Sequence, residues 1–333
     1  MKQKYCSYLS RLLHLAIAIA LLVIFVQPAL AQRGPATGQK DTPPFADIAL
    51  MQQMLNQAKS QPSTPEEWAE YNALLRLREA IETGSDAKYR EAQMRKRELL
   101  PVLYSPEYIE ARNKIGEAIT ELLQSGRYSF DEITNMDHQE MKQTLGRKLP
   151  VISGSLNRKH ETTIDAAPGI LPTGLNKGRA RRGDIILVHN KRIWKPAWYG
   201  YWTHTIMVRG YDNYMHAPGP GRPVQRATWR DDIARRTAAI MGVWTWSGMR
   251  NRAASYAEAQ WGEPYNWWSP KWSTWDWYCS KLPWAGYFYK SWGIIDIDGT
   301  ARWWNGWWWW YWVTPDGIWL SFWTYIRDIS ASA

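Results

Sequence analysis

Cysteine is nearly absent. Cys6 and Cys279 are the two in 333 residues, so at most one intramolecular disulfide can form and a cystine-stapled scaffold is excluded. Long apolar runs are missing too: LLHLAIAIALLVIFV at 12–26 has 15 residues, short of the ~20 that a permanent membrane-spanning helix needs. Nor does any block of like charge dominate the net charge of +10. A basic balance of that kind suits an acidic partner such as cell-wall polymer, anionic lipid or lipopolysaccharide, and it suits plain solubility equally.

What is present is a globular balance, 45% hydrophobic with 22% charged, in a chain long enough for two domains. Lys2, Lys4 and Arg11 before the apolar run and Ala29-Leu30-Ala31 after it predict an export signal over 1–31, with an uncleaved anchor as the alternative. Cleavage before Gln32 removes three basic and no acidic residues, leaving 302 residues, a charge of +7 and one thiol, Cys279. In an oxidising compartment a lone thiol needs a partner or a task. No cysteine follows the cleavage site, so a lipoprotein is not expected, and the protein is expected in the periplasm or on the cell envelope.

A Gly/Pro/Gln linker at 32–44 leads into 45–149, which reads as entirely helical. Thr64 predicts a helix cap, with Pro65 at the first position, Glu67 three residues on and Gly84 as the stop. Ser105-Pro106 and Gly126 bracket a second helix, in which Ile109, Ile115, Ile119 and Leu122 recur at helical spacing while Glu110, Arg112, Lys114, Glu117 and Glu121 are expected to face elsewhere. Ser129 with Glu132 opens a third, closed by Gly146, and His138 within it is expected on a solvated face. Such a region could dock, dimerise or cover something.

Residues 150–180 lack periodicity and form a connecting loop. From 181 the texture becomes strand-like: IILV at 185–188, THTIMVRG at 203–210, YMHA at 214–217 and AAIMGVW at 238–244, then helices over 249–261 and from Ser280 to Lys290. The fold class is α+β, an antiparallel sheet beside a few helices, over 181–329.

Tryptophan is the compositional outlier, with 23 of the 24 between Trp194 and Trp323, including WWNGWWWWYW at 303–312. Three readings stay open: an aromatic wall for sugars or acyl chains, a membrane-interface belt, or an aromatic-rich core. The core reading fits the four consecutive Trp poorly, since strand alternation would turn half of them outward.

Cys279 stands where an aromatic loop runs into a helix. There the positive end of the helix dipole favours a thiolate, and a partly exposed nucleophile is expected. The alternative is a buried inert thiol. His204 and His216 lie twelve residues apart on two runs joined by a turn at 210–213, a spacing that could set one imidazole against the other across adjacent strands. One Cys with two His also suits zinc, but no fourth ligand is evident and no metal or other cofactor is expected.

Gly183-Asp184-Ile185-Ile186, His204-Thr205-Ile206-Met207-Val208, Tyr214-Met215-His216-Ala217, Gly262-Glu263-Pro264-Tyr265 and Tyr278-Cys279-Ser280, in this order, resemble the NlpC-type cell-wall peptidase superfamily. The order His before Cys is similar to its circularly permuted branch, the YiiX-like and lecithin:retinol acyltransferase-like proteins of papain-like fold. The match covers under half of the chain. The resemblance implies Cys279 as nucleophile, His204 as general base and then acid, and His216 as the group orienting that imidazole. It also implies Tyr265 beside the nucleophile, with main-chain N–H groups near Cys279 and Ser280 for the oxyanion. The chain departs from the family's usual pattern at His216, where an acidic residue is common, at Lys281-Leu282-Pro283, where an aliphatic pair is usual, and in its tryptophan load.

The expected function is an exported cysteine hydrolase cleaving amide bonds in cell-wall peptide or glycopeptide through a thioacyl enzyme. A lipid-deacylating or acyl-transfer enzyme of the same fold, meeting membrane or acyl chains through the tryptophans, is one alternative. A non-catalytic envelope-binding protein is another. No nucleic-acid partner is expected.

Overall fold

In a computed structural model, six strands form one antiparallel sheet in the order β4-β3-β2-β1-β5-β6: β1 Ile185–His189, β2 His204–Gly210, β3 Asn213–His216, β4 Gln225–Ala227, β5 Thr237–Val243 and β6 Thr324–Ser330. The structure describes residues 48–128, 132–133, 136, 138–146, 175–189, 200–227, 237–266, 269–300 and 312–330. The expected signal at 1–31, the linker at 32–44, most of the connecting loop at 150–180 and the tryptophans at 303–310 lie outside these. Eight α-helices accompany the sheet among the described residues: α1 Ile48–Gln57, α2 Pro65–Thr83, α3 Ala87–Leu99, α4 Pro106–Gln124, α5 His138–Leu145, α6 Ser247–Ala259, α7 Lys281–Lys290 and α8 Pro315–Leu320. The class is α+β. None of the described helices is long and apolar enough to cross a membrane.

Local chemistry explains the helix ends. The Thr64 hydroxyl accepts from the Glu67 N–H at 3.2 Å while Ser63 donates to the Glu67 carboxylate, and Gly84 closes α2 in the left-handed conformation at φ 60°. Ser105 caps α4 through the Tyr108 N–H. The sheet is buried on both faces. Ile185, Leu187, Met207, Met215, Ala239 and Met241 join the main core with Met249 and Ala253 of α6 and Leu282 and Ala285 of α7, whereas Ile186, Val188, Ile206, Val208, Tyr214 and Ile240 build a second cluster. That alternation follows from the period of two along a strand.

The helices before residue 128 belong to the same core as the sheet: Leu74, Ile81, Val102, Ile115 and Ile119 are continuous with Leu187, Met241 and Ile326. Lys96 of α3 reaches across, fully buried, and donates to the main-chain oxygen of Thr324 at 2.9 Å and to that of Ser321. One expectation is corrected here. Arg112, expected to face away from the apolar stripe, is 1% exposed, with the Asp316 carboxylate of α8 near it inside the protein.

Five tryptophans, Trp202, Trp277, Trp284, Trp319 and Trp323, are wholly buried, so the aromatic-rich core accounts for these. Trp312, the last of the 303–312 run, is also buried. Trp68, Trp246, Trp261 and Trp275 are exposed.

Candidate active site

Two strands bring the histidines together. β2 and β3 pair antiparallel with Met207 opposite Met215, so one further step sets His216 opposite Ile206 and leaves His204 on the diagonal, within reach of a long side chain on the same face. His204 opens β2 and His216 closes β3, both at the end away from the 211–212 turn. His204 Nε2 and His216 Nδ1 lie 3.0 Å apart. On the far side of His216, Nε2 stands 3.5 Å from the Gln225 amide, in β4 where Gln225 pairs with His216. Gln225 carries no signal in the sequence, since a three-residue edge strand has too few residues to show alternation.

Cys279 lies just before the start of α7, whose first helical residue is Lys281 with Ser280 as its cap, so the helix begins one residue later than expected. Cys279 is 1% exposed, which corrects the expectation of a partly exposed nucleophile. Both its neighbours are held to one residue: Val313 N–H donates to the Tyr278 hydroxyl at 3.0 Å, and the Ser280 hydroxyl donates to Val313 O at 2.7 Å. Ser280 therefore offers its main chain, not its hydroxyl, to any oxyanion, at a helix start where N–H groups have no intrahelical acceptor.

Tyr265 stands beside the cysteine. It forms a bridge with Trp277, where Asn266 N–H donates to Trp277 O at 2.9 Å and Trp277 N–H to Pro264 O at 3.0 Å. Burial, with the Cys279 charge nearby, pushes the Tyr265 phenol well above its ordinary range, so it stays protonated and can donate. The same segment is tied to the histidine end of the sheet, because Val224 N–H donates to Glu263 O and Gly262 N–H to Val224 O, each at 2.8 Å, one residue before Gln225. His204 and His216 share the sheet face of Val188 and Ile206, whereas α7 packs on the other.

A second polar cluster lies directly under the cysteine. The Lys281 ammonium is fully buried and donates to the Ser269 and Ser273 hydroxyls and to Asp276 O at 2.8 Å, while both serines donate to one Asp276 carboxylate oxygen and Asn266 donates to the other at 2.6 Å. Burial lowers the Lys281 ammonium to about 7, against the raising influence of Asp276. Ser269 and Ser273 are each 1% exposed, which makes the cluster a frame for the loop rather than a second nucleophilic site. The neighbouring Lys271 pairs with Asp298 at 2.9 Å, also buried. Asp184, from the Gly-Asp pair, is likewise a frame: it sits buried against Arg327 of β6 at 2.7 Å.

No group of three or more His, Cys, Asp or Glu among the described residues is arranged to hold a metal ion. Comparison with family models, with curated proteins and with solved structures finds no match for this chain.

Proposed function

We propose that the protein is a cysteine hydrolase of permuted papain-like fold, acting on amide bonds in cell-wall peptide. The observation that carries the reading is the His204–His216 pair, 3.0 Å apart, at the end of the sheet to which the Tyr265–Cys279 segment is tied. In this reading His204 uses Nδ1 as the base and Nε2–H as the donor to His216 Nδ1. His216 Nε2–H then needs an acceptor, which the Gln225 amide supplies when its oxygen faces the ring. Amide oxygen and nitrogen differ by one rotation, so this orientation is accessible to Gln225. Cys279 attacks the carbonyl carbon, His204 passes the thiol proton to the leaving amine, and the amine departs. Water then attacks the thioacyl carbon with His204 taking its proton, releasing acid and free thiol. Main-chain N–H groups at the start of α7, with the protonated Tyr265 hydroxyl, stabilise the oxyanion. The basic charge, +10 for the full chain and +7 after the expected cleavage, suits an acidic cell-wall polymer, and export to the envelope suits the same substrate.

The test is incubation with peptidoglycan fragments and, in parallel, phospholipid vesicles, with products found by mass. Cleavage of the fragments, lost in Cys279→Ala, is expected. Turnover of phospholipid alone would replace this reading with a lipid deacylase, and undiminished cleavage by Cys279→Ala would remove the nucleophile.

A further inference from the structure

Asp316 of α8 lies wholly buried at a point where three parts of the chain converge. Its carboxylate accepts the Trp202 N–H at 2.8 Å and the Tyr201 N–H at 3.1 Å, and the Tyr108 hydroxyl of α4 donates to it as well. Burial raises the Asp316 carboxyl, and the Arg112 guanidinium one turn along α4 opposes that shift. Tyr201 and Trp202 are the residues that lead into β2, two steps before His204. Thr203 N–H then donates to Val188 O at 2.9 Å to begin the pairing with β1, and Tyr201 O takes the His189 ring nitrogen at 2.6 Å. Gly200 is required at this crossing. Its φ is +88°, and a Cβ there would stand 2.0 Å from the Asp316 carboxylate and 2.9 Å from the Tyr108 hydroxyl. The carboxylate thus fixes two successive main-chain N–H groups at the entry to the strand whose first residue is His204.

We infer that Asp316 is a positioning residue for the His204 imidazole, and that the N-terminal helices serve the site by holding Asp316 through Tyr108 and Arg112. The inference rests on the reading of His204 as the base. It gives the helical region a task inside the same protein: α4 supplies a hydroxyl and a nearby guanidinium to a carboxylate buried away from solvent. Losing either N–H contact would loosen the first residue of β2, and a misplacement of about 1 Å in reacting groups can cost on the order of a hundredfold in rate.

The experiment is histidine-ring NMR on the full chain, with His204 assigned through His204→Gln, together with turnover of whichever peptidoglycan fragment the wild type cleaves. Asp316→Asn keeps the side chain's size but replaces one accepting oxygen with a donor. Tyr108→Phe removes a single hydroxyl. Both variants are expected to shift the His204 titration midpoint by about half a pH unit, more in Asp316→Asn. kcat should fall roughly tenfold or more at unchanged KM. If Asp316→Asn does not fold, Tyr108→Phe decides by the same readouts. A folded variant in which His204 titrates as in the wild type overturns the inference. Turnover retained by Cys279→Ala would instead sink the hydrolase reading, and leaves the NMR readout able to judge the positioning.

Discussion

The helices before residue 128 and the half that carries Cys279 use polar groups in different ways. In the helices many polar contacts are local caps, with Thr64 to Glu67, Asp86 to Lys88 and Ser105 to Tyr108 spanning two or three residues each, alongside the long buried ones from Lys96 and Tyr108. Around the cysteine they are long in sequence and buried, as in Lys271 with Asp298, 27 residues apart, or Asp184 with Arg327, 143 apart. The difference teaches where each half is vulnerable. An exposed cap is worth about 1 kcal/mol because water can replace it, whereas a buried charge that loses its partner has nothing to turn to.

The largest effect that would sharpen this contrast is on rate. His204→Gln should lower kcat by roughly 10²- to 10⁴-fold, while His216→Asn, which keeps a hydrogen-bonding group against Nε2 of His204, should lose about tenfold or less. Equal small losses in steady-state kinetics would break the assignment of unequal roles.

Next comes stability. Lys271→Met leaves the Asp298 carboxylate buried without its cation and should cost about 3–5 kcal/mol in urea unfolding. Adding Asp298→Asn to it should recover part of that loss. A cost below 1 kcal/mol would show that the buried pair behaves like a surface one.

Acidity gives a smaller and directional test. The Lys281 ammonium sits at about 7 in the folded protein against an ordinary 10.5, so between those values the unfolded chain holds a proton that the folded chain has released. Stability from this group therefore rises with pH across that window, by up to about 1.4 kcal/mol per unit, and is flat below it. Lys281→Met should remove that part of the slope, seen in urea midpoints at pH 6.5, 8 and 9.5; a slope unchanged in the variant would contradict the assignment. Lys96, lowered by burial in the same way, adds its own slope in both proteins. The smallest effect is expected for Thr64→Ala, about 1 kcal/mol in the same measurement.

How much of this the sequence carried follows the same division. Caps, stops and the β1, β2, β3 and β5 runs are written in offsets of two to four residues, and the twelve-residue spacing of His204 and His216 with a turn between them is a local signal of the same kind. Arg112 was not legible, because its helix position reads as polar while its burial depends on Asp316, two hundred residues away. Nor was the Lys281 cluster: Ser269, Ser273 and Asp276 look like ordinary loop residues until α7 closes over them. β6 was missed because Thr324–Ser330, with Arg327 and Asp328 inside it, lacks a clean apolar alternation, its charges being taken up by Asp184, Arg179 and the Asn176 N–H. The hold on both neighbours of Cys279 was not legible either, since Val313 follows the tryptophan run in sequence and meets Tyr278 and Ser280 only in the fold.

The central claim is that Cys279 carries the acyl group. The direct measurement is an acid quench of the wild-type protein during turnover of peptidoglycan fragments, followed by digestion and the mass of the peptide that contains Cys279. The account predicts a mass increase on that peptide equal to the acyl fragment, present during turnover and absent when substrate is exhausted. Steady product release with the Cys279 peptide at its unmodified mass, and with Cys279→Ala fully active, would contradict it.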